Sequence, residues 1–122
     1  GLGPTEDDLT REAVAAATGR ALVFDKQVLA GLEARFASLG RKMAEVNKRQ
    51  CYVLEGAEVL ANPRGTAPGQ WLMMPDRQII VLLPGPPGEM KPLADQEVFP
   101  RLAKMLPPLA IATKTYRVAG MG

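Results

Sequence analysis

The chain contains no histidine, which excludes Ser-His and Cys-His nucleophile pairs and any imidazole metal ligand. Its one serine, Ser38, falls in a helical pattern and offers no nucleophile elbow. Its one cysteine, Cys51, cannot form an intrachain disulfide and suits a reducing cytoplasm. Cys51 reads as a small core hydrophobe, since nothing near it in sequence lowers a thiol pKa. Lys and Arg total 15 against 13 acidic residues and form no basic stripe, so the charge pattern argues against nucleic acid as a partner. The longest purely apolar runs, Ala13–Ala17 and Ile79–Leu83, are far too short to span a membrane. No secretory signal is visible, although a chain that opens in mid-motif could have lost one. Catalysis in such a chain falls to carboxylates, backbone dipoles, Lys or Arg, and a bound metal. Oxygen-only ligands favour a hard ion such as Mg²⁺.

What is present suffices for one modest core: 122 residues, 47% of them apolar. The chain opens on GLGPTEDDLT, in which Gly1 and Gly3 allow a ligand to approach the backbone closely. Such a loop, feeding a helix N-terminus, directs free N–H groups at one point and suits a phosphate. Asp7 and Asp8 sit where a first helical turn would place a divalent cation against phosphate oxygens. A plain helix cap explains the same residues equally well, with Thr5 as N-cap and Asp8 completing an approximate capping box.

Helix one is expected over about Glu6–Ala17, closed by Gly19, with Leu9, Ala13 and Ala16 on its buried face. Asp25 caps a second helix, roughly Lys26–Leu39, with Phe24 and Leu29 placed for a hydrophobic staple. Its stripe is Val28, Leu32, Phe36 and Leu39, and Gly40 ends it. A third helix is expected over about Arg41–Cys51, with Met43, Asn47 and Gln50 on one face. Two amides there satisfy backbone groups or read the edge of a base or pterin.

From Tyr52 the pattern turns to short strands and turns. Trp71–Met74 and Gln78–Leu83 flank Pro75-Asp76-Arg77 as a hairpin, and Ile79–Leu83 reads as a fully buried strand. Trp71 reads as core packing. The strand ends in Pro84-Gly85-Pro86-Pro87-Gly88, which opens a helix over about Glu89–Met105 that Pro92 and Pro100 limit or split. Strand carboxyl ends are where open α/β sheets bind ligands, but a strand-to-helix turn with Pro near N1 is also common for purely structural reasons. Asn62–Gly69 is a rigid surface loop in which Gly65 and Thr66 can offer an N–H and a hydroxyl to a phosphate or sugar. Ile111–Val118 reads as a strand that begins something new.

In this order, GLGPTEDDLTREA, NKRQ, LEGAEVLANPRGTAPG and LLPGPPGEMKP resemble the CinA (competence/damage-inducible) family. The likeness is to its N-terminal domain, of the molybdopterin-binding type shared with MogA and MoeA. It implies an α/β fold in three α/β/α layers, with a mixed sheet between helices. It also implies that residues 1–106 are the C-terminal part of such a domain, lacking its first strands. Residues 107–122 would then be a linker and the start of a following subdomain.

The resemblance implies a pocket built from the opening loop (Gly1, Leu2, Gly3, Pro4, Thr5), the loop carrying Gly65 and Thr66, and the turn Pro84, Gly85, Pro86 and Pro87 with Glu89. It makes Asp7 and Asp8 the catalytic and metal-holding residues, with Mg²⁺, Mn²⁺ or Co²⁺ as the ion. Asn47, Gln50 and Thr66 would orient the nucleoside or ribose. The activity associated with this type is metal-dependent hydrolysis of ADP-ribose to AMP and ribose 5-phosphate. The alternative is a module that binds molybdopterin or a nucleotide without turnover, the same loops gripping the phosphate. A cytoplasmic homo-oligomer is the expected setting.

Overall fold

The computed structural model describes residues 2–4 and 9–105. The elements run α1 (Thr10–Thr18), β1 (Leu22–Phe24), α2 (Lys26–Ser38), a 3₁₀ helix (Glu45–Cys51), β2 (Tyr52–Leu54), β3 (Glu58–Leu60), β4 (Gly69–Met73), β5 (Ile79–Leu82), α3 (Pro87–Leu93), a π-helical stretch (Ala94–Val98) and α4 (Phe99–Met105). The fold is α/β, as the resemblance implies. Among the described residues every strand pairing is antiparallel: β1 pairs with β2, and β3, β4 and β5 form a second sheet in that order.

One side chain ties the two sheets together. Gln70, on the central strand β4, is 1% exposed. Its Oε1 accepts the Leu54 N–H at 2.8 Å, and its Nε2 donates to the Tyr52 carbonyl at 3.2 Å. The amide thus satisfies the edge of β2 that faces away from β1, in place of a neighbouring strand. β4 can come close to its neighbours because residue 69 is glycine. A Cβ there would stand 2.9 Å from the Leu82 carbonyl oxygen and 3.0 Å from Leu93 Cδ2.

Two apolar clusters form the core. Leu2, Leu54, Ala67, Leu72 and Leu82 make one, against which Val14, Ala15 and Leu22 pack. Leu60, Trp71, Leu93 and Val98 make the other, and the Arg101 guanidinium lies 5.9 Å from the centroid of the Trp71 ring. Trp71 is therefore core, as its sequence context indicates.

Several local expectations hold. Asp25 caps α2, its Oδ1 accepting the Gln27 and Val28 N–H groups at 2.8 and 3.1 Å. Leu32 is the buried centre of the α2 stripe, Val28 and Phe36 flank it half-buried, and Leu39 is exposed. Gly19 closes α1 at φ 69°, and Gly40 follows α2 at φ 67°. The β4–β5 hairpin turns at Pro75-Asp76-Arg77, with Met74 N–H donating to the Gln78 carbonyl at 2.7 Å.

Others require correction. The helix begins at Thr10, with Leu9 at its N-cap, and not at Glu6. Its buried face is Arg11, Val14, Ala15 and Thr18, while Leu9, Ala13 and Ala16 are exposed. The period is right and the phase is wrong, because a run of alanines carries no phase and an arginine claims the inner position. Residues 41–44 are not helical, and Glu45–Cys51 is 3₁₀. Ile79–Leu82 is only half-buried except at Leu82, because it stands at the edge of the described sheet while β4 holds the centre. The final helix does not break at a proline. A π turn intervenes, in which Phe99 N–H reaches back to the Ala94 carbonyl. That wider turn accommodates Pro100, which has no N–H to give and whose ring would crowd a regular preceding turn. The strand expected at Ile111–Val118 and the boundary at residue 106 lie outside the described residues.

Candidate functional site

The core brings the three sequence-flagged loops to one place. Leu2 from the opening loop, Ala67 from the 62–69 loop and Leu82, which leads into the 84–88 turn, share one buried cluster. Each contributes an apolar anchor, so burial of three hydrophobes sets the mutual position of three polar loops.

The opening loop is held from below by Arg11. This side chain is 2% exposed, and its guanidinium donates to the Leu2 carbonyl at 2.5 Å and the Gly3 carbonyl at 2.7 Å. With both carbonyls drawn down onto α1, the loop's backbone shape is fixed by a rigid planar fork. Sequence reasoning passed over Arg11. The signal was its helical spacing with Val14, Ala15 and Thr18, which puts an arginine on a core face where its guanidinium must find acceptors. The Leu2 side chain is an anchor in the core, while Gly3 and Pro4 are half-buried. Gly1, Thr5, Asp7 and Asp8 lie outside the described residues.

The other two loops are joined by Asn62 and Glu89. Asn62 Nδ2 donates to Glu89 Oε1 at 2.8 Å and to the Ala67 carbonyl at 2.9 Å, while its Oδ1 accepts the Arg64 N–H at 3.0 Å. Asn62 thus closes its own loop and clips it to the first turn of α3. The clip requires Gly65. A Cβ at that position would overlap the Glu89 carboxylate and stand 2.9 Å from Asn62 Nδ2. Gly65 and Glu89 are therefore brought together as expected, but the Glu89 oxygen is spent on Asn62 and holds the loops in place. Pro84 is buried and anchors the turn, whereas Gly85, Pro86, Pro87 and Gly88 are exposed along it. A Cβ at Gly85 or Gly88 would meet no atom within 4 Å, so this rim is open to an incoming group.

The NKRQ segment meets the same loop from its other end. Asn47 and Gln50 are three apart in a 3₁₀ helix and so share a face, despite the change of helix type. Gln50 is 1% exposed, and its Nε2 donates to Thr66 Oγ1 at 3.0 Å. Its Oε1 is buried without a partner among the described residues. Asn47 is half-buried, and its backbone N–H donates to the Ala44 carbonyl at 3.0 Å. Arg49 approaches Glu12 of α1 at 3.9 Å, linking this segment to the helix that carries Arg11.

A cavity of about 260 Å³ lies between α2 and the 62–69 loop, with Arg35, Gly65 and Thr66 in its lining. Arg35 Nη1 donates to the Pro63 carbonyl at 2.8 Å. Cys51 is fully buried, and burial, with Asp25 and Glu33 adding to it, raises its thiol above the ordinary value. It is thus no nucleophile. Among the described residues no cluster of three or more Asp, Glu, Cys or His side chains could hold a metal ion. Among them, too, no helix is long and apolar enough to cross a membrane.

Comparison with known proteins places this arrangement. Residues 1–104 match the family described as "Probable molybdopterin binding domain". Over 122 residues the chain is 57% identical to a CinA-like protein of Solibacter usitatus, covering all of this chain and 29% of that protein. It is 52% identical over 124 residues to a putative competence-damage inducible protein of Symbiobacterium thermophilum, again covering all of this chain and 29% of its relative. The chain thus spans under a third of the length of these curated relatives. Among solved structures, the CinA protein of Thermoplasma acidophilum, described as of unknown function, is similar with a TM-score of 0.68 and 30% identity. That likeness covers 77% of this chain and 54% of the other. The chain belongs to the molybdopterin-binding domain family, and the relatives it resembles are CinA-like and competence-damage inducible proteins.

Proposed function

We propose that this domain binds the diphosphate of a nucleotide such as ADP-ribose and hydrolyses it to AMP and ribose 5-phosphate. The observation that supports this reading is the convergence of three loops on one cluster. Leu2, Ala67 and Leu82 anchor them, and Asn62 clips the second to the third through Glu89. The Gly65–Thr66 backbone, the Thr66 hydroxyl and the exposed Gly85–Gly88 rim then offer donors and open backbone to phosphate oxygens. Gln50, by engaging a Thr66 lone pair, leaves that hydroxyl free to donate.

Asp7 and Asp8 are the pair that would hold a divalent ion such as Mg²⁺, Mn²⁺ or Co²⁺, which when bound supplies charge neutralisation at the diphosphate. The chain's own contribution is to fix the diphosphate between the opening loop, the 62–69 loop and the 84–88 turn. Asn47, Gln50 and Thr66 would orient the nucleoside or ribose, Gln50 bonding Thr66 directly. A domain of this type would act in the cytoplasm, as part of a homo-oligomer. The test is AMP release from ADP-ribose by the protein as encoded, with each of the three metals. Release that vanishes in Asp8→Ala supports the assignment; release unchanged by Asp8→Ala contradicts it.

The family description favours a second reading, a module that holds molybdopterin without turnover. Tight binding of molybdopterin with no AMP release from ADP-ribose would select it.

A further inference from the structure

Arg11 is a charge placed where charge is costly. Its side chain is 2% exposed on the inner face of α1, and desolvating a guanidinium to that degree opposes folding unless its donors are taken up. The Leu2 and Gly3 carbonyls take up Nη1 and Nη2, at 2.5 and 2.7 Å. Neither carbonyl needs an arginine for this, since water satisfies the carbonyls of an open surface loop. The distinct effect of the fork is on which way the two peptide units face.

That effect follows from peptide geometry. A trans peptide unit is planar, with its C=O and its N–H on opposite sides. The Leu2–Gly3 unit turns its carbonyl in to Arg11, so the Gly3 N–H points away from the guanidinium. This N–H has no partner among the described residues. The Gly3–Pro4 unit also turns its carbonyl in, and proline leaves it no N–H to present. On the side away from Arg11 these two units therefore show one free donor and no carbonyl oxygen. Such a face attracts an anion, and the same peptides turned over would repel one.

The charge adds to the orientation. The guanidinium lies one peptide layer beneath this face, and at such burial its field is screened far less than that of a surface arginine. The field also reaches Cys51: burial raises that thiol, and Arg11 is among the cations that draw it back down.

We propose that Arg11 is a positioning residue for the diphosphate. It turns the Leu2 and Gly3 carbonyls away from the ligand, aims the Gly3 N–H at it, and sets a fixed positive charge beneath the opening loop. The proposal rests on the phosphate-binding reading of that loop and adds to it a residue that touches no ligand.

The probe is inorganic pyrophosphate with Mg²⁺ present. Its affinity is measured by calorimetry, and the response of the Gly3 amide proton by NMR, for the protein as encoded, for Arg11→Lys and for Arg11→Met, each well below its melting temperature. Arg11→Lys keeps the charge but cannot hold both carbonyls at once, so it carries the test if Arg11→Met does not fold. In the parent the Gly3 amide should shift as pyrophosphate is added. Affinity should fall roughly tenfold or more in Arg11→Met and about threefold in Arg11→Lys, with the Gly3 response shrinking in the same order. An arginine of purely structural importance would lower the melting temperature and leave both readings of the folded variants as in the parent. That result overturns the proposal and leaves the phosphate reading standing. Pyrophosphate bound by the parent with no response at Gly3 overturns it as well. No pyrophosphate bound by the parent overturns the phosphate reading itself, and the proposal falls with it.

Discussion

Asn62 and Glu89, 27 residues apart, are joined by a 2.8 Å hydrogen bond that passes directly over Gly65. The bond turns two separate motifs into one wall of the site. Replacing Gly65 by alanine must push the Glu89 carboxylate aside and break the clip. Gly65→Ala is expected to cost about 0.5–1.5 kcal/mol of stability, the loss of one half-buried hydrogen bond, since the groups it displaces are the ends of flexible side chains. In a double-mutant cycle with Glu89→Ala, the two effects should fall short of additivity by at least about 0.5 kcal/mol, read by urea denaturation. Strict additivity would show that the two residues do not meet.

Arg11 sets the shape of the opening loop from inside the core. Arg11→Met keeps the volume and apolar packing but leaves the Leu2 and Gly3 carbonyls without their guanidinium donors. A loss of about 3 kcal/mol is expected. Arg11→Lys should recover only part of it, because an ammonium cannot span both carbonyls as the planar fork does. Equal stability of the Lys and Arg forms would remove the bidentate account.

Gln70 joins the sheets through its amide. Gln70→Leu strands the buried Leu54 N–H and is expected to cost about 2 kcal/mol. Hydrogen exchange at the Leu54 amide should accelerate at the same time, and unaltered protection there would contradict the assignment.

Cys51 links stability to pH. Burial raises its thiol pKa in the folded state. Below the unfolded-state value both states keep the proton and the group is neutral to stability. Above it the unfolded chain ionises first, so folding stability falls, by up to about 1.4 kcal/mol per pH unit, until the folded thiol also ionises. Cys51→Ala should lose this alkaline component, and equal pH slopes for the two proteins between neutral and alkaline conditions would refute it. The thiol should also react slowly with disulfide reagents in the native state.

The parts of the fold legible in the sequence are those set by local chemistry. Asp25 announced its cap, the Pro-Asp-Arg turn its hairpin, and the Pro-Gly run its strand-to-helix turn, because each depends on two or three neighbouring residues. The inner face of α1 was not legible, since alanines carry no phase and no local pattern shows that Arg11 turns inward to the Leu2 and Gly3 carbonyls. Glu45–Cys51 misled for a similar reason: its spacing suits an α-helix, but the packing of Gln50 onto Thr66 accompanies a tighter 3₁₀ turn. At the site, the loops themselves were readable from glycine and proline placement, whereas their gathering into one pocket came only from the family resemblance. The role of Asn62 was not readable, because it depends on a partner at residue 89 that no local pattern reveals.

The measurement that bears most directly on the account is AMP release from ADP-ribose by the protein as encoded and by its Gly65→Ala variant, both assayed well below their melting temperatures. The account predicts metal-dependent release by the parent and a loss of at least tenfold in the variant, because the wall that positions the diphosphate has been prised open. Full activity in Gly65→Ala, or no release by the parent under any of the three metals, would contradict it.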